Sequence, residues 1–240
     1  MIGKGKSISH GVAALEYDLA KEINGQAVAT EIARHELYGC TGAEMVQEMK
    51  PYHIDFPNVK NNCLRFEVSP SIEESATFTD ADWAELGNDF MQRMGLANHQ
   101  YIIIRHSGTE SKKEQAHLHI LANRVSLSGE LYRDNWIGKK ATEAANAIAK
   151  ERNFVQSQDI GKVNKAEIKE AMDGVLKKMQ GFDFTKFKEE LGKRGFKVRE
   201  ARASTGKLNG YYVTARSGTE YKASEIGKGY TLAHIERTQS

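Results

Sequence analysis

Cysteine is nearly absent: Cys40 and Cys63 are the two in 240 residues. Their spacing gives neither a disulfide framework nor a cysteine metal motif, so a small oxidised scaffold is excluded and a reduced, cytoplasmic setting is the simpler expectation. Long apolar runs are also missing. Nothing approaches the 18 consecutive apolar residues that a membrane-spanning helix needs. The start, Met1-Ile2-Gly3-Lys4-Gly5-Lys6, is basic but has no apolar segment behind it, so no secretory signal is expected there. A dominant charge is lacking too, since 34 Lys and Arg stand against 32 Asp and Glu.

What is present is ample core material, with 40% hydrophobic residues. The 28% charged residues and a mean hydropathy of -0.57 argue for a soluble protein. The length suits one large domain or one domain with an appendage. The near-neutral total hides an asymmetry. Residues 151–240 carry 18 Lys and Arg against 12 Asp and Glu, while residues 1–150 carry 16 against 20. An acidic part followed by a basic part fits a metal site beside a polyanion-binding surface.

The most informative stretch is Gln115-Ala116-His117-Leu118-His119-Ile120-Leu121-Ala122-Asn123-Arg124-Val125. As a β-strand it alternates with period two, so His117 and His119 leave one face and Leu118 and Ile120 the other. Two same-face imidazoles lie roughly 6–7 Å apart along a strand, near enough to share a divalent cation. His106 closes the preceding apolar run, Tyr101 to Arg105. If residues 107–114 return the chain antiparallel, His106 falls beside His117. Such a pattern names a metal site and not a reaction.

Around this motif the chain reads as mixed helices and strands. Helices are expected over Ser9–Ile23 (stopped by Asn24-Gly25), Ala43–Lys50, Trp83–Met94, Asn135–Arg152, Lys165–Met179 and Phe184–Leu191. Cys63–Val68 alternates as a strand, with Glu67 opposite in face to Phe66. Tyr17 lies some 200° round the first helix from Leu15 and Leu19, off its apolar stripe. Short strands are expected at Phe196–Arg199, Tyr211–Thr214 and Tyr221–Ala223. Lys197, Arg199, Arg202, Lys207, Arg216, Lys222 and Lys228 run through them, with Tyr211, Tyr212 and Tyr221 interleaved. Cations and aromatics on short strands are one way to follow a single-stranded backbone and stack its bases.

Taken together, these features resemble the HUH endonucleases and, within them, the relaxases (mobilisation nucleases), with a flavour of the Bacteroidetes-type mobilisation proteins. Gly5-Lys6-Ser7 leading to Val12-Ala13-Ala14-Leu15-Glu16-Tyr17 is similar to the family's first motif. Gln100 to His106 with His117 to Val125 is similar to its histidine motif. Phe187 to Leu191, Gly195 and Lys222 to Gly227 resemble the region that follows. In relaxases the nucleophilic tyrosine precedes the histidine strand, as Tyr17 does here, whereas the helix after that strand holds no tyrosine.

The resemblance implies an α+β relaxase fold, a central antiparallel sheet flanked by helices. Residues 1–155 would form the catalytic core and 156–240 a basic α/β extension packed on it as one relaxase domain. It implies a DNA relaxase that nicks one strand at a transfer origin for conjugative mobilisation. Tyr17 would be the nucleophile, Glu67 an accessory catalytic residue, and His106, His117 and His119 the ligands of Mg2+ or Mn2+. Glu110 or Glu114 is the alternative third ligand, because the family commonly places an Asp in the link before the histidine pair. DNA would be met by Asn123, Arg124, Lys197, Arg199, Arg202, Lys207, Arg216 and Lys222. Single-stranded or hairpin origin DNA, accessory relaxosome proteins and coupling proteins are the implied partners. A non-catalytic DNA-binding accessory protein and a metal hydrolase of a small substrate are the rival readings.

Overall fold

Gly3-Lys4-Gly5-Lys6, given no secondary structure above, lies in the computed structural model within a strand, β1 (Ile2–Ile8). The structure describes residues 1–108 and 115–238. It divides into two units, Met1–Ser157 and Gln158–Ser240. In β1 the glycines and lysines take opposite faces. A Cβ on Gly3 would come within 2.6 Å of Ala145 Cβ, and one on Gly5 within 2.8 Å of the Phe66 ring. The glycines therefore let helix α5 (Ile137–Glu151) lie directly on the strand, while Lys4 and Lys6 face away from it.

The first unit is built on a five-stranded antiparallel sheet in the order β1-β5-β7-β6-β4. Its other strands are β4 (Ala29–His35), β5 (Cys63–Ser69), β6 (His99–His106) and β7 (His117–Ser126). Ladder bonds between strands far apart in sequence fix which residues share a face. One face buries Phe66, Val68, Ile103, Leu118 and Ile120 under α4 (Asp80–Arg93) and α5. The capping box of Thr79 with Asp82 starts α4, and its apolar side presents Trp83, Leu86 and Phe90. The other face buries Ile8, Cys63, Ile102, Ile104 and Leu121 under α1 (Gly11–Leu19) and α2 (Gly42–Met49). Short α3 (Ile72–Ser75) follows β5.

Helix α1 ends earlier than its apolar spacing suggests. Asn24 and Gly25 both take positive φ, +53° and +74°, and form the two-residue turn between β2 (Glu22–Ile23) and β3 (Gln26–Ala27). That conformation is the favoured hairpin turn, so Asn-Gly here joins strands and Ile23 is a strand residue, not a helical one.

The second unit holds α6 (Ser157–Leu176), α7 (Phe184–Lys193) and an antiparallel sheet, β10-β9-β8. Its strands are β8 (Lys197–Arg202), β9 (Leu208–Thr214) and β10 (Glu220–Lys222), followed by α8 (Ala223–Ile226) and α9 (Leu232–Thr238). Helix α6 starts eight residues before the expected Lys165. Ile168, Met172, Phe187, Leu191, Phe196, Tyr211 and Val213 form the unit's own core. No helix among the described residues is long and apolar enough to cross a membrane.

Candidate metal centre and its tyrosine helix

Antiparallel pairing puts His106 of β6 directly opposite His117 of β7, and Ile104 opposite His119. Opposed residues project to the same side, so all three imidazoles leave the α1 face of the sheet. One ligand nitrogen from each of His106, His117 and His119 lies within 4.8 Å of the others. His117 Nε2 and His119 Nε2 are 3.1 Å apart. The alternatives Glu110 and Glu114 lie outside the described residues.

Hydrogen bonds assign the ring nitrogens. His117 Nδ1 is 3.0 Å from the Gln115 carbonyl and must donate to it, which turns Nε2 toward His119 Nε2. His106 Nε2 donates in the same way to the Asp18 carbonyl at 2.7 Å, leaving its Nδ1 lone pair. Metal-ligating histidines commonly donate their second nitrogen to such a carbonyl, which fixes the tautomer and the ring orientation. Burial lowers the His106 pKa, and pushes that of His119 down to about 2 with help from the neighbouring imidazoles, Arg65 and Lys4. Both rings are therefore neutral at pH 7, the form that a divalent cation requires.

The Asp18 carbonyl is one of the last in α1, where no helical N–H remains to satisfy it. His106 supplies that donor. The Asp18 side chain is buried, receives Arg65 Nε at 2.9 Å and Nη2 at 2.5 Å, and lies 3.8 Å from His119 Nδ1. Arg65 also reaches His119 Nδ1 at 3.3 Å. The end of α1 is thus tied to the histidine face by backbone and side chain together. Asp18, Arg65 and Lys4 escaped the sequence reading, and Lys6 entered it only within the first motif, although the alternation Gly-Lys-Gly-Lys was a signal for both lysines.

Tyr17, just before Asp18, is 57% exposed and off the buried stripe. Its hydroxyl is 2.7 Å from Lys21 Nζ. The Lys21 charge also reaches His106, where it disfavours protonation. Glu67 pairs across the ladder with His119 and accepts a hydrogen bond from Lys4 Nζ at 2.8 Å. A cavity of about 220 Å³ opens beside His119, lined by Lys4, Lys6, Arg65 and Glu67.

Two residues expected at the DNA are placed elsewhere. Asn123 is completely buried. Its amide donates to Met49 O and Gln100 Oε1 and accepts from His53 Nε2 and Val125 N, so it locks the 3₁₀ turn Lys50–His53 to the sheet. Arg124 alternates to the opposite face from the histidines. It is committed to Asp134, Tyr132 O and Asn61 O, holding two loops. The period-two reading extended the site too far along β7, because nothing in the local pattern shows where a neighbouring turn covers the strand.

In the second unit, Lys197, Arg199 and Lys222 share the outer face of the three-stranded sheet. Arg202 and Lys207 sit at the β8–β9 turn, and Arg216 follows β9. Arg199 and Arg202 are paired with Glu220 and Glu200, and Arg216 stacks over Phe196 and donates to Arg194 O. The tyrosines divide: Tyr211 and Tyr221 pack into the core, and Tyr212 stands on the outer face.

Comparison with known proteins gives the family. Among curated proteins, no match is found. A solved structure described as the conjugative relaxase TrwC in complex with oriT DNA, metal-bound, is 11% identical and aligns over 86% of this chain and 74% of that one. Its TM-score of 0.36 is too low to bear on the assignment. The family model for the relaxase MobA/VirD2-like nuclease domain matches residues 17–154, from Tyr17 through the histidine strands to the end of α5. With more than half its length matched, the chain belongs to the MobA/VirD2-like relaxase nuclease family.

Proposed function

We propose that the chain is a DNA relaxase that cleaves one strand by transesterification onto Tyr17, and that it serves conjugative mobilisation from a transfer origin. The observation that carries this is the bond between His106 and the Asp18 carbonyl, which sets the helix of Tyr17 against three convergent imidazoles. His106, His117 and His119 fit a divalent cation by donor type and mutual distance, and burial favours the neutral form of His106 and His119. Bound there, Mg2+ or Mn2+ would supply Lewis-acid polarisation of a phosphate and offset its developing charge.

The protein's own groups do the rest. Lys4, Lys6 and Arg65 around the cavity beside His119 attract and orient a phosphodiester. The Tyr17 oxygen forms the new bond to phosphorus and gives up its proton, the P–O3′ bond breaks, and the 3′ oxygen takes up a proton. The product is a 5′-phosphotyrosyl-DNA ester that keeps the energy of the original bond, so the free 3′-OH can reverse the step. The Lys21 ammonium stands beside the phenol as negative charge develops on it. Glu67, next to His119 in the ladder, is an accessory group whose orientation Lys4 holds. Residues 156–240 contribute basic surface for the strand.

The test uses single-stranded oligonucleotides tiled across the DNA flanking the coding sequence, incubated with the full chain and Mn2+, then run on a denaturing protein gel. A shifted band that is lost with EDTA and in Tyr17→Phe is expected. A band that persists in Tyr17→Phe reassigns the nucleophile. Salt-sensitive DNA binding with no adduct anywhere would indicate an accessory DNA-binding protein instead.

A further inference from the structure

The outer face of the second unit's sheet carries an arrangement that the nicking centre does not use. Register aligns Arg199, Tyr212 and Lys222 across the three strands. The Tyr212 ring is flanked by the Arg199 guanidinium, 3.9 Å from its centroid, and the Lys222 ammonium at 5.9 Å. Two residues along, the same face has no large side chain, because Gly210 pairs with Ala201. A Cβ built on Gly210 meets nothing within 4 Å. A cavity of about 320 Å³ opens beside this bare floor, walled by Tyr211, Tyr212, Lys222, Asn209, Ser224 and Leu232.

We propose that this cavity is a nucleotide subsite for single-stranded DNA, in which one base lies on the Gly210–Ala201 floor against Tyr212 while Lys222 meets its phosphate. The inference rests on the relaxase reading for its choice of ligand. Three features converge on that ligand. Arg199 and Lys222 lie over the Tyr212 ring, so a base in the cavity meets the ring at its edge, an edge-to-face contact open to any base. The neighbouring cations match a phosphodiester in sign; Lys222 makes no ion pair among the described residues, whereas Arg199 is held by both oxygens of Glu220 and keeps the ring in place. The Asn209 amide adds a donor and an acceptor at the wall, where a base edge would lie. Tyr211 also lines the cavity, but it is buried and its hydroxyl is committed to the Tyr230 carbonyl.

The experiment measures fluorescence anisotropy of the full chain with labelled oligo-dT, in EDTA so that no cleavage intervenes. The same oligonucleotide with abasic residues is run in parallel. Tyr212→Leu is expected to weaken oligo-dT binding roughly ten-fold while leaving abasic binding and the salt slope unchanged, because an aromatic contact to the base and not a phosphate contact is lost. Lys222→Ala is expected to lower the salt slope by about one ion. Gly210→Val fills the floor of a strand that accepts a branched side chain, and should weaken oligo-dT binding with no loss of thermal stability.

Equal affinity of wild type and Tyr212→Leu, or equal losses on oligo-dT and abasic DNA, overturns the subsite. Unchanged binding in a folded Gly210→Val does so too. A wild-type chain that forms the Tyr17 adduct while Tyr212→Leu binds normally leaves the relaxase reading standing without this one. A wild-type chain that binds no single-stranded DNA removes both.

Discussion

His106 Nε2 lies 2.7 Å from the main-chain carbonyl of Asp18, the residue after Tyr17. One bond thus joins a sheet residue to the end of the tyrosine helix across 88 positions of sequence. Because the same ring turns its other nitrogen toward His117 and His119, a cation held there would be coupled to the end of α1.

This coupling makes His106 unlike its two companions. Each of His106→Ala, His117→Ala and His119→Ala should weaken Mn2+ binding, measured by titration calorimetry, by more than the ~10–100-fold typical of losing a ligand-orienting partner. Only His106→Ala should also speed hydrogen exchange of amides in residues 11–19. Equal exchange in all three variants would show that the Asp18 carbonyl does not depend on this ring.

The Asp18–Arg65 pair gives a second prediction. Asp18 is 1% exposed, and Arg65 is the cation bonded to its carboxylate. Arg65→Met strands a buried charge and should destabilise the fold by about 3–5 kcal/mol in urea unfolding. Asp18→Leu combined with Arg65→Met removes both charges and should recover most of that loss. If the double variant is no better than the single one, the pair's geometry matters beyond its charge.

Stability should fall with acid in a defined window. Burial lowers the pKa values of His53, His99, His106 and His119 from the ordinary value of 6.5. Below pH 6.5 the unfolded chain takes up protons that the fold resists, so stability is full above 6.5 and declines as pH drops. His119, at about 2, sustains the decline furthest. Urea unfolding in EDTA between pH 8 and 5 should show the loss beginning near 6.5, before carboxylates titrate. A flat profile through that interval would contradict the neutral-ring assignment.

Asn123 tests the correction made to the DNA surface. Asn123→Ala leaves His53, Gln100 and two backbone groups short of partners, at about 1–3 kcal/mol for each group left buried and unsatisfied. Affinity of the folded variant for oligo-dT should equal that of the wild type. A selective loss of DNA binding at unchanged stability would return Asn123 to the interface.

Patterns carried by neighbours in sequence were readable before any coordinates. The period-two run around His117 and His119, the cap at Thr79 and the apolar stripe of α4 each depend on residues within a few positions, and each appears in the structure. The pairing of His106 with His117 was also legible, because a short connection between two strands leaves little freedom of register. Tertiary structure decided what lay farther apart. Lys4 meets Glu67 and Asp18 meets Arg65 only through strand order and helix docking, across 63 and 47 positions. The burial of Asn123 under the Lys50–His53 turn, and the separation of Tyr212 from Tyr211 and Tyr221, follow from which faces are covered. Covering is a property of the packed chain: a side chain's exposure depends on what folds over it, which its immediate neighbours do not encode.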